Sequence, residues 1–153
     1  MEGFVDNPSF LIYCLAASAL SLNMLGLWAY SGSVRSKTKT TPNEEDASTV
    51  AKGAKHTLEQ PATVARVLRA HRNATDNIVP FLILALLYVL LGASPKMAWI
   101  LFGGFTVVRY LHTFFYLGEK QPWRTISFVV GGLLTLGVLE QVVRAAISRM
   151  MLL

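Results

Sequence analysis

Long runs of apolar residues, almost free of charge, restrict what this chain can fold into. The runs cover residues 10–30, 78–91, 97–117 and 126–143. About 20 apolar residues in a helix cross the ~30 Å hydrocarbon layer of a bilayer, so three of the runs are long enough to span it. The second run is too short alone, but it reaches that length when it is extended backward into the helical pattern before it. The sequence therefore predicts four transmembrane helices.

We accordingly expect an all-α membrane protein, a four-transmembrane-helix bundle that forms a single domain over residues 1–153. The expected helices cover about residues 9–37, 63–91, 96–117 and 123–148. The composition agrees with a lipid bilayer as the surroundings, since hydrophobic residues make up 53% of the chain and charged residues only 15%. Such a multi-pass protein is expected in the endoplasmic reticulum membrane of a eukaryote or the inner membrane of a bacterium.

Basic residues are concentrated between the first and second apolar runs. They are Arg35, Lys37, Lys39, Lys52, Lys55, Arg66, Arg69 and Arg72. By the positive-inside rule this loop is cytoplasmic, which puts both chain ends on the opposite side of the membrane. The turn around Glu119, Lys120 and Arg124 then lies on the cytoplasmic side as well. Because membrane topology accounts for this clustering, we do not interpret the net charge of +5 as a sign of a nucleic-acid partner.

The start of the second membrane helix carries a polar face. At about 100° per residue, its polar side chains fall within an arc of roughly 120°. They are Arg66, Arg69, Arg72, Asn73 and Asp76. Three guanidinium groups, an amide and a carboxylate suit a small, highly charged ligand. Since the apolar run begins at the same place, the pattern predicts a site for an anionic polar ligand beside a lipid-facing pocket.

The third helix also carries a polar face, with polar residues one and two turns after Arg109. Arg109, His112 and Tyr116 have the spacing i, i+3 and i+7, which puts them on one side of a helix. An arginine within a membrane span is costly and marks a functional candidate. Two interpretations are open: these residues line a polar pocket, or Arg109 forms a structural ion pair with Asp76 or Glu140.

Other polar residues are less specific. Arg124, at the start of the fourth helix, is either an interfacial anchor or part of a site. We interpret Asn23, in the first helix, as the donor or acceptor of an interhelical hydrogen bond. His71 and His112 have no cysteine or carboxylate at ligand spacing on the same helix, so we expect no metal site. Cys14 is the only cysteine, which excludes an intrachain disulfide.

Three segments of the chain resemble the MAPEG family, the membrane-associated proteins in eicosanoid and glutathione metabolism. The segments are Arg66-Val-Leu-Arg-Ala-His-Arg-Asn73 with the following Asp76 to Phe81, Arg109-Tyr-Leu-His-Thr-Phe-Phe-Tyr-Leu117, and Gln121-Pro-Trp-Arg-Thr-Ile-Ser-Phe128. The resemblance covers nearly the whole chain. It implies a homotrimer of four-helix bundles that holds glutathione between neighbouring subunits near the cytoplasmic face.

The resemblance also implies roles for individual residues. Those that match glutathione-contacting positions or line the same polar cavity are Arg69, Arg72, Asn73, Asp76, Arg109, His112, Tyr116 and Phe128. Arg35 matches an arginine that reaches glutathione from a neighbouring chain. Arg124 matches the catalytic arginine of the family, while Thr125 and Asp46 match further catalytic positions.

The activity that the resemblance implies is that of a glutathione S-transferase and peroxidase, which uses the glutathione thiolate against lipophilic electrophiles and lipid hydroperoxides. Phe128 and the Gln-Pro-x-Arg run resemble the transferase branch of the family. One alternative is the glutathione-dependent isomerisation of a prostaglandin endoperoxide, the activity of a prostaglandin E synthase. A second alternative is a non-enzymatic lipid-binding scaffold, against which the retention of Arg72, Tyr116 and Arg124 argues.

Overall fold

The computed structural model describes residues 2–152, so residues 1 and 153 of the expected domain lie outside the described residues. The described chain is mostly helical. Its helices are α1 (Glu2–Val5), α2 (Pro8–Thr38), α3 (Glu44–Ser48), α4 (Ala62–Leu90), α5 (Pro95–Leu117) and α6 (Trp123–Met150). Helices α2, α4, α5 and α6 are long and apolar enough to cross a membrane. The chain is therefore an all-α, multi-pass membrane protein, as its apolar runs predict.

Local signals in the sequence define where these helices begin. Asn7 caps α2, since its side-chain oxygen accepts a hydrogen bond of 2.9 Å from the backbone N–H of Ser9. Ser94 caps α5 in the same way, through a bond of 3.2 Å to Met97 N. A proline follows each cap, where its missing N–H removes no helical hydrogen bond. The two caps thus place the helix starts independently of tertiary packing.

The core lies between α2, α4 and α5 and is rich in aromatic rings. Phe81 of α4 stacks on Phe105 of α5 with ring centroids 3.6 Å apart, and it meets Phe102 edge-on at 6.0 Å. Leu20 and Ile78 are completely buried beside them. In contrast, large apolar side chains such as Trp28 remain exposed on the outer faces. Apolar side chains therefore occupy both the core and the outer surface, as a bundle surrounded by lipid requires.

A polar contact links α2 to α5, and α5 approaches α6 closely at two glycines. Thr113 Oγ1 donates to Asn23 Oδ1 over 3.1 Å, which confirms the interhelical hydrogen bond expected for Asn23. Helices α5 and α6 approach closely at Gly131 and Gly137. A Cβ at Gly137 would lie 3.2 Å from Leu101 Cδ2, and one at Gly131 would contact the side chains of Val108 and Arg109. Glycine thus lets the two helices pack backbone against side chain.

Helix α5 contains a wide turn that its sequence did not predict. It is α-helical over Pro95–Ala98, passes through a π-helical turn at Trp99–Gly103, and continues as an α-helix over Gly104–Leu117. The wide turn leaves Trp99 more than half exposed while it buries Phe102. It therefore sets which side of α5 enters the aromatic core.

The segment between α2 and α4 contains the only described strands. The strand β1 (Thr40–Thr41) pairs in parallel with β2 (Lys55–His56), and α3 lies between them. The all-helical expectation therefore needs a small correction in this loop. A short ladder forms here because Lys39 O and Thr41 O accept hydrogen bonds from Lys55 N and Thr57 N. The acidic residues Glu44, Glu45 and Asp46 form the first turn of α3.

Most of the charged residues lie at one end of the bundle. Val34, Val64 and Val67 form a small second core that joins the C-terminal end of α2 to the N-terminal part of α4. Arg66 Nη2 lies 3.0 Å from Glu119 Oε1, so the turn after α5 belongs to the same end. We call this region, with the loop at residues 39–61, the charged end. At the far end, Ser9 donates to Ala93 O and Arg149 donates to Leu91 O.

The two ends make membrane orientation testable. We expect Ser48→Cys and Lys96→Cys, each in a Cys14→Ser background, to be labelled by an impermeant thiol reagent from opposite sides, since Ser48 is at the charged end and Lys96 at the far end. The basic loop should be the cytoplasmic side. Labelling of sealed vesicles of known orientation measures this. Labelling of both cysteines from one side would contradict the four-span topology.

Candidate functional site

A polar cluster lies between α4, α5 and α6 near the charged end. We call it the inner polar cluster, and it consists of Asn73, Arg109, His112, Tyr116, Arg124 and Ser127. Arg109 is its most buried member, with only 1% of its surface exposed. Its Nη2 donates to Asn73 Oδ1 over 2.8 Å and to Asn73 O over 3.3 Å, so the guanidinium bridges α5 and α4.

The partners of Arg109 decide between the two interpretations of this residue. Within residues 2–152, Asp76 pairs with Arg72 and Glu140 pairs with Arg144. The expected alternative of an ion pair between Arg109 and either carboxylate is therefore wrong for the single chain. Two donors of Arg109, Nε and Nη1, are buried and have no partner among the described residues. A buried guanidinium with unused donors is costly, which makes this a place where a polar group can be accommodated.

His112 ties α5 to the first turn of α6. Its Nδ1 lies 3.0 Å from Arg124 O and 3.2 Å from Ser127 Oγ. A carbonyl oxygen can only accept, so Nδ1 carries a proton and donates it. Ser127 Oγ donates to the same carbonyl over 3.0 Å. The Nε2 atom of His112 is buried without a partner among the described residues.

An aromatic ring, that of Tyr116, lies against the Arg124 guanidinium. Its Cζ lies 4.9 Å from the centroid of the Tyr116 ring, a cation–π contact. The Tyr116 ring meets His112 edge-on at 5.7 Å, and Phe128 lies 6.0 Å from His112 on the other side. Arg124 is half-buried, whereas Thr125 and Phe128 are exposed. The backbone of Arg124 is held by His112 and its side chain by Tyr116, so one cation is fixed beside an apolar, lipid-facing surface.

The polar face expected on α4 is divided between three environments. Asn73 points inward to Arg109, and Arg66 is paired with Glu119. Arg69, Arg72 and Asp76 are exposed, and Arg72 Nε lies 3.8 Å from Asp76 Oδ2 with 85% and 64% of the two side chains accessible. An exposed pair of this kind contributes little stability. Within one chain, the predicted shared face is therefore only partly correct.

Arg35 and Asp46 lie together in a second place. They line a cavity of about 540 Å³ between the end of α2 and the loop, along with Lys39 and Lys52. Asp46 Oδ2 accepts from Asn43 Nδ2 over 2.9 Å. No hydrogen bond or ion pair among the described residues links Arg35 or Asp46 to the inner polar cluster. Most of the expected site residues thus form three groups in one chain: the inner polar cluster, the exposed face of α4, and this loop cavity. Thr125 and Phe128 are exposed in the first two turns of α6, beside the inner polar cluster.

Two residues of the site were not singled out by the sequence. Ser127 is buried against His112, and Gln121 lies beside Arg124. Their only sequence signal is their position three residues on either side of Arg124, within the Gln-Pro-x-Arg-x-x-Ser run. Residues 2–152 contain no group of three or more His, Cys, Asp or Glu side chains that could hold a metal ion.

Four membrane-spanning helices with an arginine-containing polar cluster near one end define a small multi-pass membrane protein. The chain belongs to the MAPEG family, which matches residues 12–143. It is 34% identical to human prostaglandin E synthase over 130 residues, 84% of each chain. It is also 34% identical to human microsomal glutathione S-transferase 1 over 144 residues, which are 92% of this chain and 93% of that protein. Rat prostaglandin E synthase is 37% identical over 122 residues, 80% of this chain and 76% of its own.

Proposed function

We propose that this protein is an integral-membrane glutathione S-transferase and peroxidase that activates glutathione as a thiolate. The observation that carries the proposal is the fixed position of Arg124, held by His112 and Tyr116 beside exposed apolar residues. The likeness to microsomal glutathione S-transferase 1 supports it, because that likeness extends over nearly the full length of both proteins. Both kinds of relative carry the name of an enzyme, which argues against a non-enzymatic scaffold.

The polar residues near the charged end fit the chemistry of glutathione. The tripeptide carries two carboxylates and one ammonium group, so it needs several cationic donors and at least one acidic acceptor. Arg69 and Arg72 offer exposed guanidinium groups, and Asp76 offers a carboxylate on the same surface. The residues present therefore suit glutathione, and Arg72 and Asp76 are the ones that we propose to clamp its charged ends.

Arg124 is proposed to do the chemical work. A free thiol has a pKa of about 8.5, and a guanidinium close to the sulfur lowers it because it favours the thiolate. Bound glutathione would supply a sulfur nucleophile. Attack on an electrophilic carbon would displace the leaving group as an anion. Attack on the outer oxygen of a hydroperoxide would break the O–O bond and release the alcohol, and a second glutathione would convert the resulting sulfenic acid to the disulfide and water. Thr125, next to Arg124, has a hydroxyl that can donate to the same sulfur. Ile126 and Phe128 are about half exposed on the first two turns of α6, so a lipophilic substrate can approach from the lipid.

The second candidate is a glutathione-dependent prostaglandin E synthase. The identity to the human synthase favours it, since that identity matches the one to the transferase. The purified protein should be assayed with glutathione against a chlorinated nitrobenzene, a lipid hydroperoxide and prostaglandin H₂. Conjugation and peroxide reduction without isomerisation support the transferase. Isomerisation as the main activity would replace it with the synthase, and inactivity in all three assays would contradict both.

The exposed face of α4 supports a homotrimer. Arg72 and Asp76 are followed along that face by the exposed apolar residues Val79, Ile83 and Leu87. Charged side chains at the start of a membrane span are unfavourable against lipid, and partner helices can cover them. A neighbouring copy packed on α4 would bring its own loop cavity, with Arg35 and Asp46, towards these residues. We therefore propose that the complete glutathione site is formed between subunits.

Assembly can be tested by mass. We expect native mass spectrometry or light scattering in mild detergent to give a particle of three 16.8 kDa chains, because the charged face of α4 favours burial between copies. The double variant Arg72→Leu and Asp76→Leu tests this reason, since it removes both charged groups from the face while retaining bulk. Its trimer should dissociate more readily than that of the wild type. A wild-type protein that is monomeric at working concentration would contradict the shared site.

A further inference from the structure

Gln121, in the turn before α6, contacts the Arg124 guanidinium. A guanidinium has donors only, so the amide atom that faces it must be the carbonyl oxygen. In that orientation Gln121 Oε1 accepts from Arg124 Nη2 over 2.6 Å and from Arg124 Nε over 3.2 Å. One side chain therefore engages one edge of the guanidinium with two hydrogen bonds. This pair fixes the rotation of the guanidinium plane, which a single bond would leave free.

The same orientation determines the hydrogen bonding of Thr125. The Gln121 amide nitrogen donates to Thr125 Oγ1 over 3.0 Å. The hydroxyl oxygen is then an acceptor in this contact, so the hydroxyl keeps its own proton for another partner. The Tyr116 ring lies against the same guanidinium, with its centroid 4.9 Å from Arg124 Cζ. Gln121 thus organises both polar side chains at the start of α6, while the Nη1 side of Arg124 stays free of it.

The chemical type of Gln121 is important because it is a neutral acceptor. A glutamate in this place would form a stronger, bidentate contact but would also compensate the charge of the guanidinium. A glutamine orients the guanidinium and leaves its positive charge available to a third group. His112 binds only the backbone carbonyl of Arg124, so it does not compensate that charge either.

We propose that Gln121 is a positioning residue, which fixes the Arg124 guanidinium and the Thr125 hydroxyl towards a bound sulfur without neutralising the cation. This inference rests on the proposed function for its consequence, the stabilisation of a thiolate. The positioning itself is a property of the chain alone. Gln121 is exposed and on the surface, so substitutions there should leave the fold intact.

The decisive comparison is between Gln121→Glu and Gln121→Ala in the full-length, assembled protein. A thiolate absorbs in the ultraviolet where a thiol does not, so titration of protein-bound glutathione against pH reads the state of the sulfur directly. Gln121→Glu keeps the geometry and adds a charge, and should raise the pKa of the bound thiol by about 1, which lowers the ratio of thiolate to thiol about tenfold at a given pH. Gln121→Ala should give a smaller increase. Gln141→Glu, in α6 at the far end, is the control for an added negative charge and should leave this titration unchanged.

A second measurement needs no glutathione. Phenylglyoxal modifies free guanidinium groups, and peptide mass spectrometry reports the rate at each arginine. We expect Gln121→Ala to increase the modification rate of Arg124 severalfold while that of Arg144 stays constant. An unchanged rate at Arg124, or a Gln121→Glu titration that coincides with wild type, overturns the inference. If wild-type protein shows no thiolate at all, the proposed function fails, and the modification rates still decide whether Gln121 positions Arg124.

Discussion

Arg124→Ala is expected to reduce turnover at neutral pH by about 100-fold, the typical cost of losing one preorganised electrostatic partner of a developing or bound anion. His112 holds the backbone carbonyl of Arg124, and Tyr116 holds its side chain. The guanidinium therefore needs no rearrangement before the reaction. The loss should be in kcat and kcat/KM together, because the interaction is with the thiolate. Steady-state conjugation kinetics at several pH values measure it, and activity should recover as the pH approaches that at which free thiol ionises.

Two variants make this result interpretable. Arg144→Ala removes an arginine from the same helix, one that pairs with Glu140 at the far end, and should leave turnover unchanged. Arg124→Lys should restore only part of the activity, since an ammonium lacks the planar fork of the guanidinium. Full activity in Arg124→Ala would mean that Arg124 is only an interfacial anchor.

Arg72→Ala should weaken glutathione binding instead of slowing the reaction. Its guanidinium is exposed near the charged end, where it can form a charge-assisted hydrogen bond with a glutathione carboxylate. Loss of such a bond costs roughly 1.5–3 kcal/mol, or about 10- to 150-fold in Kd. Turnover at saturating glutathione should remain close to wild type. Isothermal titration calorimetry with glutathione measures the first effect, and kinetics at high glutathione concentration measure the second.

Arg66→Ala is the matched control for Arg72→Ala. Both arginines are on the polar part of α4, but Arg66 is already paired with Glu119 at 3.0 Å. Its removal should leave glutathione affinity within about twofold, because the Arg66 guanidinium is already engaged by Glu119. Equal losses of affinity in the two variants would indicate a general electrostatic attraction and would remove Arg72 from its proposed role.

Much of the fold can be predicted from the sequence, because apolar runs and helix caps are local features of the chain. Each membrane helix needs about 20 apolar residues, and the chain has few places where that number is available. Asn7-Pro8 and Ser94-Pro95 are cap-and-proline pairs that start α2 and α5. Asn23 is isolated in apolar surroundings, so an interhelical partner could be expected, although its identity as Thr113 could not.

The division of the polar face on α4 shows where sequence reasoning stops. On a helical wheel Arg66 and Asn73 lie about 20° apart at one edge of the arc, while Arg72 and Asp76 lie about 40° apart at the other. The first pair meets α5 and the turn after it, whereas the second pair is exposed. Periodicity gives the angle of a side chain around its own helix. It does not give the positions of neighbouring helices, which decide whether that angle is inside or outside.

Other features depend on tertiary contacts that no pattern specifies. The π-helical turn at Trp99–Gly103 directs Phe102 into the aromatic core, and no residue pattern in that segment predicts it. Arg35 and Asp46 are brought together by a two-residue ladder in a loop of ordinary polarity. The role of Gln121 depends on a rotamer three residues before Arg124, and the sequence alone gives only the spacing.

The central claim, that Arg124 holds glutathione as a thiolate, is tested most directly by the ultraviolet titration of glutathione bound to wild-type protein and to Arg124→Ala. A free thiol ionises near pH ~8.5. The account predicts that thiolate absorbance appears well below that pH in wild type, at a stoichiometry set by the bound tripeptide, and returns to the free-thiol range in Arg124→Ala. Titration of wild-type-bound glutathione at the pH of the free thiol, or identical curves for the two proteins, would contradict it.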